Sequence, residues 1–259
     1  MRHVLGISYD GSGFDGWQSQ PSRNTVQDVL ENALSSVADV PVRVSAAGRT
    51  DTGVHAAAQV VHFDCDSDRP EMAWVRGTNA HLPPEVAVQW ALSVGDGFHA
   101  RFSAVQRSYR YVLYNHPVRN ALMSRHVGWY HRKLDVVRME KAAQWLVGEH
   151  DFSAFRSSEC QAKSPVRNLT AASVRATGPQ IIFDFSANAF LHHMVRNMVG
   201  SLIYVGSGKQ EPGWIGELIK GRDRAAAAPT FAPQGLYLSG VEYPEEWALP
   251  TFARMMPFA

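Results

Sequence analysis

The amino-acid sequence predicts an α+β fold made of two halves, and three observations predict it. Apolar residues recur with strand or helix spacing in the order βαββαβ, and this order occurs twice along the chain. A glycine-rich linker at residues 95–97 separates the two occurrences. The chain has 259 residues, of which 45% are hydrophobic and 19% are charged, and this composition suits a globular protein with one large domain or two ordinary ones.

The first half begins with an apolar, β-type segment at residues 4–9. A helix is expected from Thr25 onward, because apolar residues follow at spacings of three and four and because Thr25 with Asp28 resembles a capping box. The remaining elements of this half are strands at residues 42–47 and 59–64, a helix at 71–79, and a strand at 86–94 after a Pro-Pro stop.

The second half repeats the order without obvious sequence identity to the first. Its expected elements are a strand at residues 106–115, a helix at 134–147, strands at 167–175 and 181–187, a helix at 190–204 and a strand at 236–241. The sequence therefore predicts two ferredoxin-like βαββαβ halves with adjoining antiparallel sheets and with helices on one face. The expected domains are residues 1–103 and 104–259.

Charge and cysteine content exclude several classes of protein. With 25 basic and 24 acidic side chains the net charge is only +1, so any nucleic-acid surface must be local. Cys65 and Cys160 are too few for a disulfide framework or a thiolate metal site. The first residues show no signal-peptide pattern, and no apolar run reaches the roughly 18 residues that span a bilayer. We expect a cytoplasmic protein with no membrane partner.

Two motifs point weakly to a cofactor. Residues 11–16 match G-x-G-x-x-G after a strand, but the next helix starts only near Thr25, so a bound pyrophosphate would meet no helix N-terminus. The interpretation that we prefer is a flexible surface loop. His192 and His193 are adjacent on an expected helix, where their side chains would point about 100° apart. We therefore expect neither a nucleotide cofactor nor a metal.

The loop at residues 47–56 carries the first candidate for chemistry. It joins two apolar strands, so Asp51 is expected at the rim of the sheet on a tight turn between Gly48 and Gly53. Arg49 is its nearest candidate partner on the surface. A solvated turn aspartate, stabilised by its own backbone amides, would give the same local pattern.

A second candidate is the segment at residues 97–134, which contains no acidic residue but seven basic ones. Aromatic residues alternate with these basic residues, and Tyr109 lies in the strand Tyr109-Arg-Tyr-Val-Leu113. Basic side chains that bind phosphates, together with aromatic faces that stack on bases, are typical of proteins that bind single-stranded or looped RNA. Packing of the tyrosines in the core is the alternative.

Arg196 is the third candidate. It lies in an apolar helical segment and is therefore expected to be partly buried, where a guanidinium favours a carboxylate partner. No acidic residue lies between Asp184 and Glu211, so the partner must come from elsewhere in the fold. Asp51 is the economical choice, and a snorkelling arginine is the alternative.

A charged aspartate, a stacking tyrosine and an arginine on a basic surface indicate a carboxylate nucleophile that acts on a base. Three alternatives remain. A non-catalytic tandem ferredoxin-like RNA-binding protein would explain the basic aromatic strand but not Asp51. A carboxylate hydrolase would need a second acid, for which Asp64 and Asp66 are candidates. The third alternative is a metal enzyme, for which the sequence offers too few candidate ligands.

The sequence resembles the TruA-type tRNA pseudouridine synthase family along essentially the whole chain. The segments that carry the resemblance are Tyr9-Asp-Gly11 with Phe14, Gly16, Trp17 and Gln18; Gly48-Arg-Thr-Asp51-Thr-Gly-Val-His-Ala56; Phe98-His-Ala-Arg-Phe102; Tyr109-Arg-Tyr111; His192-His-Met-Val-Arg-Asn197; and Gly235-Leu-Tyr-Leu238. The loop that contains Asp51 is the most specific of them. One departure is Thr52, where the family more often has alanine.

The resemblance implies a homodimer that isomerises uridine to pseudouridine at positions 38, 39 and 40 of the tRNA anticodon stem-loop, without a cofactor. It implies that Asp51 is the nucleophile and that Tyr109 stacks on a flipped-out uracil. It also implies that Arg196 pairs with Asp51, and that Arg49 assists the flip or fills the vacated position. Attack on C6 of the uracil and attack on C1′ of the ribose both stay open. We further expect the Tyr109 hydroxyl to help remove the C5 proton.

Overall fold

The structure is a computed structural model that describes residues 1–67 and 69–250. It divides into two compact units: among the described residues, unit 1 comprises 1–105 and 237–250, and unit 2 comprises Gln106–Leu236. The expected domains, residues 1–103 and 104–259, differ from these units in where residues 237–250 belong. As a statement about independently folding domains, that division stays a prediction.

The secondary structure alternates between strands and helices in both units. In chain order the elements are β1 (Arg2–Tyr9), α1 (Val26–Ala38), β2 (Ser45–Ala46), β3 (His55–Asp64), α2 (Glu71–His81), β4 (Val86–Val94), β5 (Gln106–Asn115), β6 (Gly128–Tyr130), α3 (Val136–Ala143), β7 (Gly148–Asp151), β8 (Val166–Thr177), β9 (Gln180–Ala187), α4 (Met194–Gly206), α5 (Trp214–Gly221) and β10 (Leu236–Glu242). The mixed α+β class that the sequence predicts is confirmed.

In unit 1, β1 lies between β3 and β4 and pairs antiparallel with both. The expected strand at residues 42–47 is reduced to β2, which pairs antiparallel with β3. Thr25 caps α1 as expected, because its side chain accepts a hydrogen bond from the backbone N–H of Asp28. α1 and α2 pack on each other, and α2 packs on β4. Unit 1 therefore has the βαββαβ order in a sheet covered by two helices.

In unit 2, strands β5, β9, β8 and β7 pair antiparallel in that order, and β6 adds to β5 in parallel. α3 packs on β8 and on α4. The strand expected at residues 236–241 was assigned to this half. From Tyr237 onward it belongs to unit 1, where Tyr237 and Leu238 pair in parallel with His55 and Ala56 of β3.

The helix expected at residues 190–204 begins later, at Met194. His193 has a φ of 61°, in the left-handed region, and this conformation ends the preceding segment before the helix starts. The prediction that the side chains of His192 and His193 diverge on a helix is therefore wrong, and their ring centroids lie 3.9 Å apart. Within the described ranges, 1–67 and 69–250, no helix has the length and apolar character required to span a bilayer.

Candidate active site

The loop between β2 and β3 carries Asp51. The backbone N–H of Val54 donates to the carbonyl of Asp51 at 3.1 Å, and Gly53 has a φ of 77°, so residues 51–54 form a tight turn. Asp51 is half-buried, whereas Arg49 is exposed. The side chain of Asp51 therefore lies partly in solvent on a backbone that is fixed on both sides.

The glycine-rich segment at residues 11–17 packs directly on this loop. The backbone N–H of Trp17 donates to the carbonyl of Thr50 at 3.0 Å. A Cβ atom on Gly11 would lie 1.9 Å from the Val54 carbonyl oxygen, and one on Gly16 would lie 2.8 Å from the Thr50 carbonyl oxygen. Only glycine permits such an approach of two backbones. The expectation of a flexible surface loop is wrong, because this segment is the support of the Asp51 loop.

The amides of the glycine-rich segment are used within the protein. The N–H of Gly11 donates to Nδ1 of His55 at 3.1 Å, and the N–H of Ser12 donates to a carboxylate oxygen of Asp10 at 2.9 Å. A dinucleotide site would offer such amides to a pyrophosphate. The motif is explained by backbone packing.

Buried polar side chains hold the loop from beneath. The Tyr9 hydroxyl lies 2.8 Å from the Thr50 hydroxyl. The amide of Gln59 binds both backbone groups of Gly48, at 2.6 Å to its carbonyl and 3.4 Å to its N–H. Burial raises the pKa of Tyr9 to about 12, which keeps its hydroxyl protonated at neutral pH.

His55 fixes the end of the loop where β3 starts. Its ring stacks on Tyr237 of β10 with a centroid distance of 4.6 Å, and its Nδ1 lies 3.1 Å from a carboxylate oxygen of Asp10. Burial, and then the negative charge of Asp10, raise the pKa of Tyr237 above its usual value. Three separate segments of unit 1 therefore meet at His55.

Tyr109 lies on β5 of unit 2, opposite Phe185 of β9. Its side chain is 9% exposed, and its ring meets Phe190 edge-on at a centroid distance of 5.0 Å. Tyr111, on the same strand, is fully buried and donates its hydroxyl to the carbonyl of Ala232 at 2.9 Å. Core packing therefore accounts for Tyr111, whereas Tyr109 keeps a small exposed fraction.

Arg196 lies in the first turn of α4 and is partly buried, as its apolar neighbours predict. Its Nε donates to the carbonyl of Phe231 at 2.8 Å, and the N–H of Phe231 donates to the carbonyl of Arg196 at 3.3 Å. Because a guanidinium is planar, this bond to Nε fixes the direction of its Nη1–Nη2 edge.

The basic segment of unit 2 separates into two groups. Arg107 is buried and donates to the carbonyl of Asn188, and Arg110 forms an ion pair with Asp184 across β5 and β9. The exposed basic residues between β5 and α3 are Arg119, Arg125, Arg132 and Lys133. The expected RNA surface in this unit is therefore carried by the loops that follow β5 and not by the strand.

The two further acids that a hydrolase would need have other partners. Asp64 forms an ion pair with Arg2 at 2.8 Å, which lowers the pKa of the Asp64 carboxyl. Asp66 pairs with the N-terminal ammonium at 3.1 Å. Neither residue lies in the Asp51 loop, so these two acids do not form a carboxylate pair within that loop.

Sequence reasoning identified the Asp51 loop but missed what supports it. The supporting residues are Tyr9, Gly11, Gly16, Trp17, His55, Gln59 and Tyr237. The glycines of the 11–16 motif were the available signal, since closely spaced glycines also mark places where two backbones touch. Of the expected site residues, Asp51 and Arg49 lie in one loop of unit 1, and Tyr109 and Arg196 lie in unit 2.

Comparison with known proteins agrees with these features. A family model described as "tRNA pseudouridine synthase" matches residues 7–103 and 142–244. "tRNA pseudouridine synthase A" of Methylobacillus flagellatus is 59% identical over 256 residues, which cover 99% of this chain and 98% of the relative. The protein of the same name from Paraburkholderia phytofirmans is 58% identical over 249 residues, or 96% of this chain and 92% of the relative.

A solved structure, "Crystal Structure of a Cbf5-Nop10-Gar1 Complex", matches more weakly. The TM-score is 0.34 at 10% identity, over 78% of this chain and 45% of that chain, and a likeness of this size bears on nothing further. The two relatives named above are much more similar to this chain, since they match it at 58% and 59% identity along nearly the full length of both proteins. On that basis the chain belongs to the tRNA pseudouridine synthase family.

Proposed function

We propose that this isomerase of uridines in tRNA acts at positions 38, 39 and 40 of the anticodon stem-loop, with Asp51 as its nucleophile. The observation that carries the proposal is the Asp51 loop itself. It holds a half-buried carboxylate on a backbone fixed by Trp17, Gly11 and Gly16. A nucleophile needs such a fixed position, because small displacements of a reacting group lower rates steeply. The three tRNA positions rest on the family resemblance.

The proposed reaction breaks one bond and forms another within the same nucleotide. The Asp51 carboxylate adds to C6 of the uracil or to C1′ of the ribose, and the N1–C1′ bond breaks. The uracil turns, C5 bonds to C1′, and the bond between Asp51 and the nucleotide breaks, which restores the carboxylate. C5 then loses its proton while N1 gains one. The formula is unchanged, so neither an oxidant nor a cofactor enters the balance. The base must first leave its stack, and we assign to Arg49, which is exposed, the role of assisting that step.

Family membership decides between this enzyme and the non-catalytic RNA-binding protein. We propose that Arg196 pairs with Asp51 and keeps it ionised, and that Tyr109 stacks on the flipped uracil. A tRNA substrate favours action in the cytoplasm. The resemblance also favours a homodimer, and light scattering should then give twice the mass of one chain; the mass of one chain would contradict it.

The experiment for Asp51 uses tRNA labelled with tritium at C5 of uridine, because the product no longer carries that hydrogen. Asp51→Asn should keep tRNA affinity and abolish tritium release, since an amide of similar shape has no anionic oxygen. Asp39→Asn, the same change at an exposed position, is the matched control. Release by Asp51→Asn at even a hundredth of the parent rate would overturn the assignment.

The experiment for Tyr109 separates its ring from its hydroxyl. Tyr109→Phe keeps the ring, so tRNA affinity should hold, whereas turnover should fall by about 10² to 10⁴, the usual contribution of a general base. Tyr114→Phe, on the opposite face of β5, is the control. If Tyr109→Phe turns over within about threefold of the parent enzyme, Tyr109 only stacks on the base.

A further inference from the structure

The segment at residues 224–231, which follows α5, lies along the first turns of α4. Its closest approach is at Gly200, where a Cβ atom would lie 2.5 Å from the carbonyl oxygen of Pro229. The N–H of Ala228 donates to the hydroxyl of Ser201 at 3.4 Å. The segment is therefore held against the helix at a distance that only glycine allows.

Asn197 is the centre of the hydrogen bonds between this segment and α4. It is fully buried, and its side-chain N–H donates to the carbonyl of Phe155 at 2.7 Å. Its side-chain oxygen accepts from Nη2 of Arg224 at 3.0 Å and from the Thr230 hydroxyl at 2.7 Å. A buried amide with partners on both sides has one orientation, so it fixes the positions of Arg224 and Thr230.

Arg224 binds only neutral groups among its described partners. Nη1 donates to the carbonyl of Ala228 at 2.9 Å, and Nη2 donates to Thr230 at 3.2 Å as well as to Asn197. Burial of the guanidinium lowers the pKa of Arg224. A partly buried cation without a carboxylate partner costs free energy, so the bonds that Arg224 makes have to offset that cost.

The segment ends at Phe231, which holds Arg196. The carbonyl of Phe231 accepts from Nε of Arg196, and its N–H donates to the Arg196 carbonyl. Thr230 immediately precedes Phe231 and is bound by both Arg224 and Asn197. A shift of Thr230 therefore moves the acceptor that orients the Arg196 guanidinium.

We propose that Arg224 is a positioning residue for the reaction: through Asn197 and Thr230 it sets the Phe231 carbonyl that aims Arg196. The inference rests on the proposed function, in which Arg196 acts on Asp51. Arg224 itself touches neither substrate nor reacting atoms in this assignment. Loss of Arg224 should lower the rate of the chemical step and leave tRNA binding almost unchanged.

The test is a double-mutant cycle on single-turnover rates at saturating tRNA. Arg224→Met should lower the rate by about 10- to 100-fold, the cost of misplacing a reacting group by about 1 Å, with KM within about threefold. Arg196→Lys keeps the charge but loses the bond from Nε to Phe231. The double variant Arg196→Lys with Arg224→Met should therefore have a rate less than twofold below that of Arg196→Lys. Arg222→Met is the matched control, because Arg222 pairs with Asp151 and not with Asn197 or Thr230.

Thr230→Val provides the same test if Arg224→Met does not fold, since it removes one hydroxyl at constant shape. Thr230→Val should lower the single-turnover rate less than Arg224→Met does. When it is added to Arg196→Lys, it should lower the rate no further. Two outcomes overturn the role of Arg224 and leave the role of Arg196 in place. In one, the rate of the double variant falls by the product of the two single losses; in the other, a folded Arg224 or Thr230 variant keeps the parent rate. An unchanged rate in Arg196→Met overturns the proposed function of Arg196, and the inference with it.

Discussion

The Asp51 loop of unit 1 and the start of α4 in unit 2 are held in place by different means. The first is fixed by backbone against backbone, with glycines at the points of contact and hydrogen bonds such as that from Trp17 to Thr50. The second is fixed mainly by side chains, with Asn197 and Arg224 binding a neighbouring segment. The first arrangement is therefore sensitive to added volume, and the second to the loss of polar groups.

The largest effect is expected from Gly11→Ala. The new methyl group would lie 1.9 Å from the Val54 carbonyl oxygen and 2.7 Å from the Val54 carbonyl carbon, so it would meet backbone and not the end of a flexible side chain. We expect destabilisation at or above the upper end of the usual overpacking cost, about 3 kcal/mol, with loss of activity. Thermal unfolding measures it. Gly13→Ala, where nothing lies within 4 Å, is the control, and equal effects of the two changes would contradict the backbone contact.

Asn197→Leu tests the polar counterpart. The change keeps the volume but removes one hydrogen-bond partner each from the Phe155 carbonyl, Arg224 and Thr230. Unpaired buried groups cost about 1–3 kcal/mol, and we expect a loss of about 2–3 kcal/mol in the free energy of unfolding. Chemical denaturation provides the value. A loss below about 0.5 kcal/mol would show that side-chain hydrogen bonds do not hold this region.

Tyr9→Phe should have a smaller effect, because it removes one hydrogen bond beneath a loop that its backbone already fixes. The expected loss is about 1 kcal/mol at pH 7. Since the pKa of Tyr9 is raised from 10 to about 12, its stabilisation is complete below pH 10 and is lost between pH 10 and 12. The stability of Tyr9→Phe should fall less across that window than that of the parent. Parallel curves would contradict the burial of a protonated hydroxyl.

The smallest expected effect is a gain. Gly221 ends α5, and a Cβ atom there would meet nothing within 4 Å. Gly221→Ala should therefore stabilise unit 2 by roughly 0.5–1 kcal/mol through helix propensity, measured as a rise in Tm. Gly200→Ala, also in a helix of unit 2, should do the reverse, because its Cβ would meet the Pro229 carbonyl. A gain in both variants would mean that the 224–231 segment is not held against α4.

The sequence predicts local structure best where a residue at a given position has only one physical role. Thr25 as a helix cap is an example, and it is confirmed. The start of α4 was misplaced, because it depends on a left-handed His193, a conformation that histidine adopts rarely. The sequence does not predict that β10 pairs with β3, for another reason. Its pairing with β3 joins residues about 180 positions apart, and no local pattern reports such a partner.

The candidate site divides in the same way. Asp51, Tyr109 and Arg196 stand out by residue type and by their sequence neighbours, which are apolar for Arg196, so the sequence offers them as candidates. Gln59 and Tyr237 do not stand out, since a buried amide and a strand tyrosine are ordinary residues until their partners in space are known. The glycines of residues 11–16 form a recognisable motif, but the same motif is compatible with a nucleotide-binding loop and with a segment that packs on another backbone.

The return of β10 to unit 1 has a consequence for synthesis on the ribosome. Residues 1–105 emerge first, yet His55, which closes the Asp51 loop, receives its stacking partner Tyr237 only after all of unit 2 has been translated. Unit 1 is thus the first to begin folding and the last to be completed. A chain released after residue 236 would contain the residues of unit 2, but its Asp51 loop would lack the contact between His55 and Tyr237.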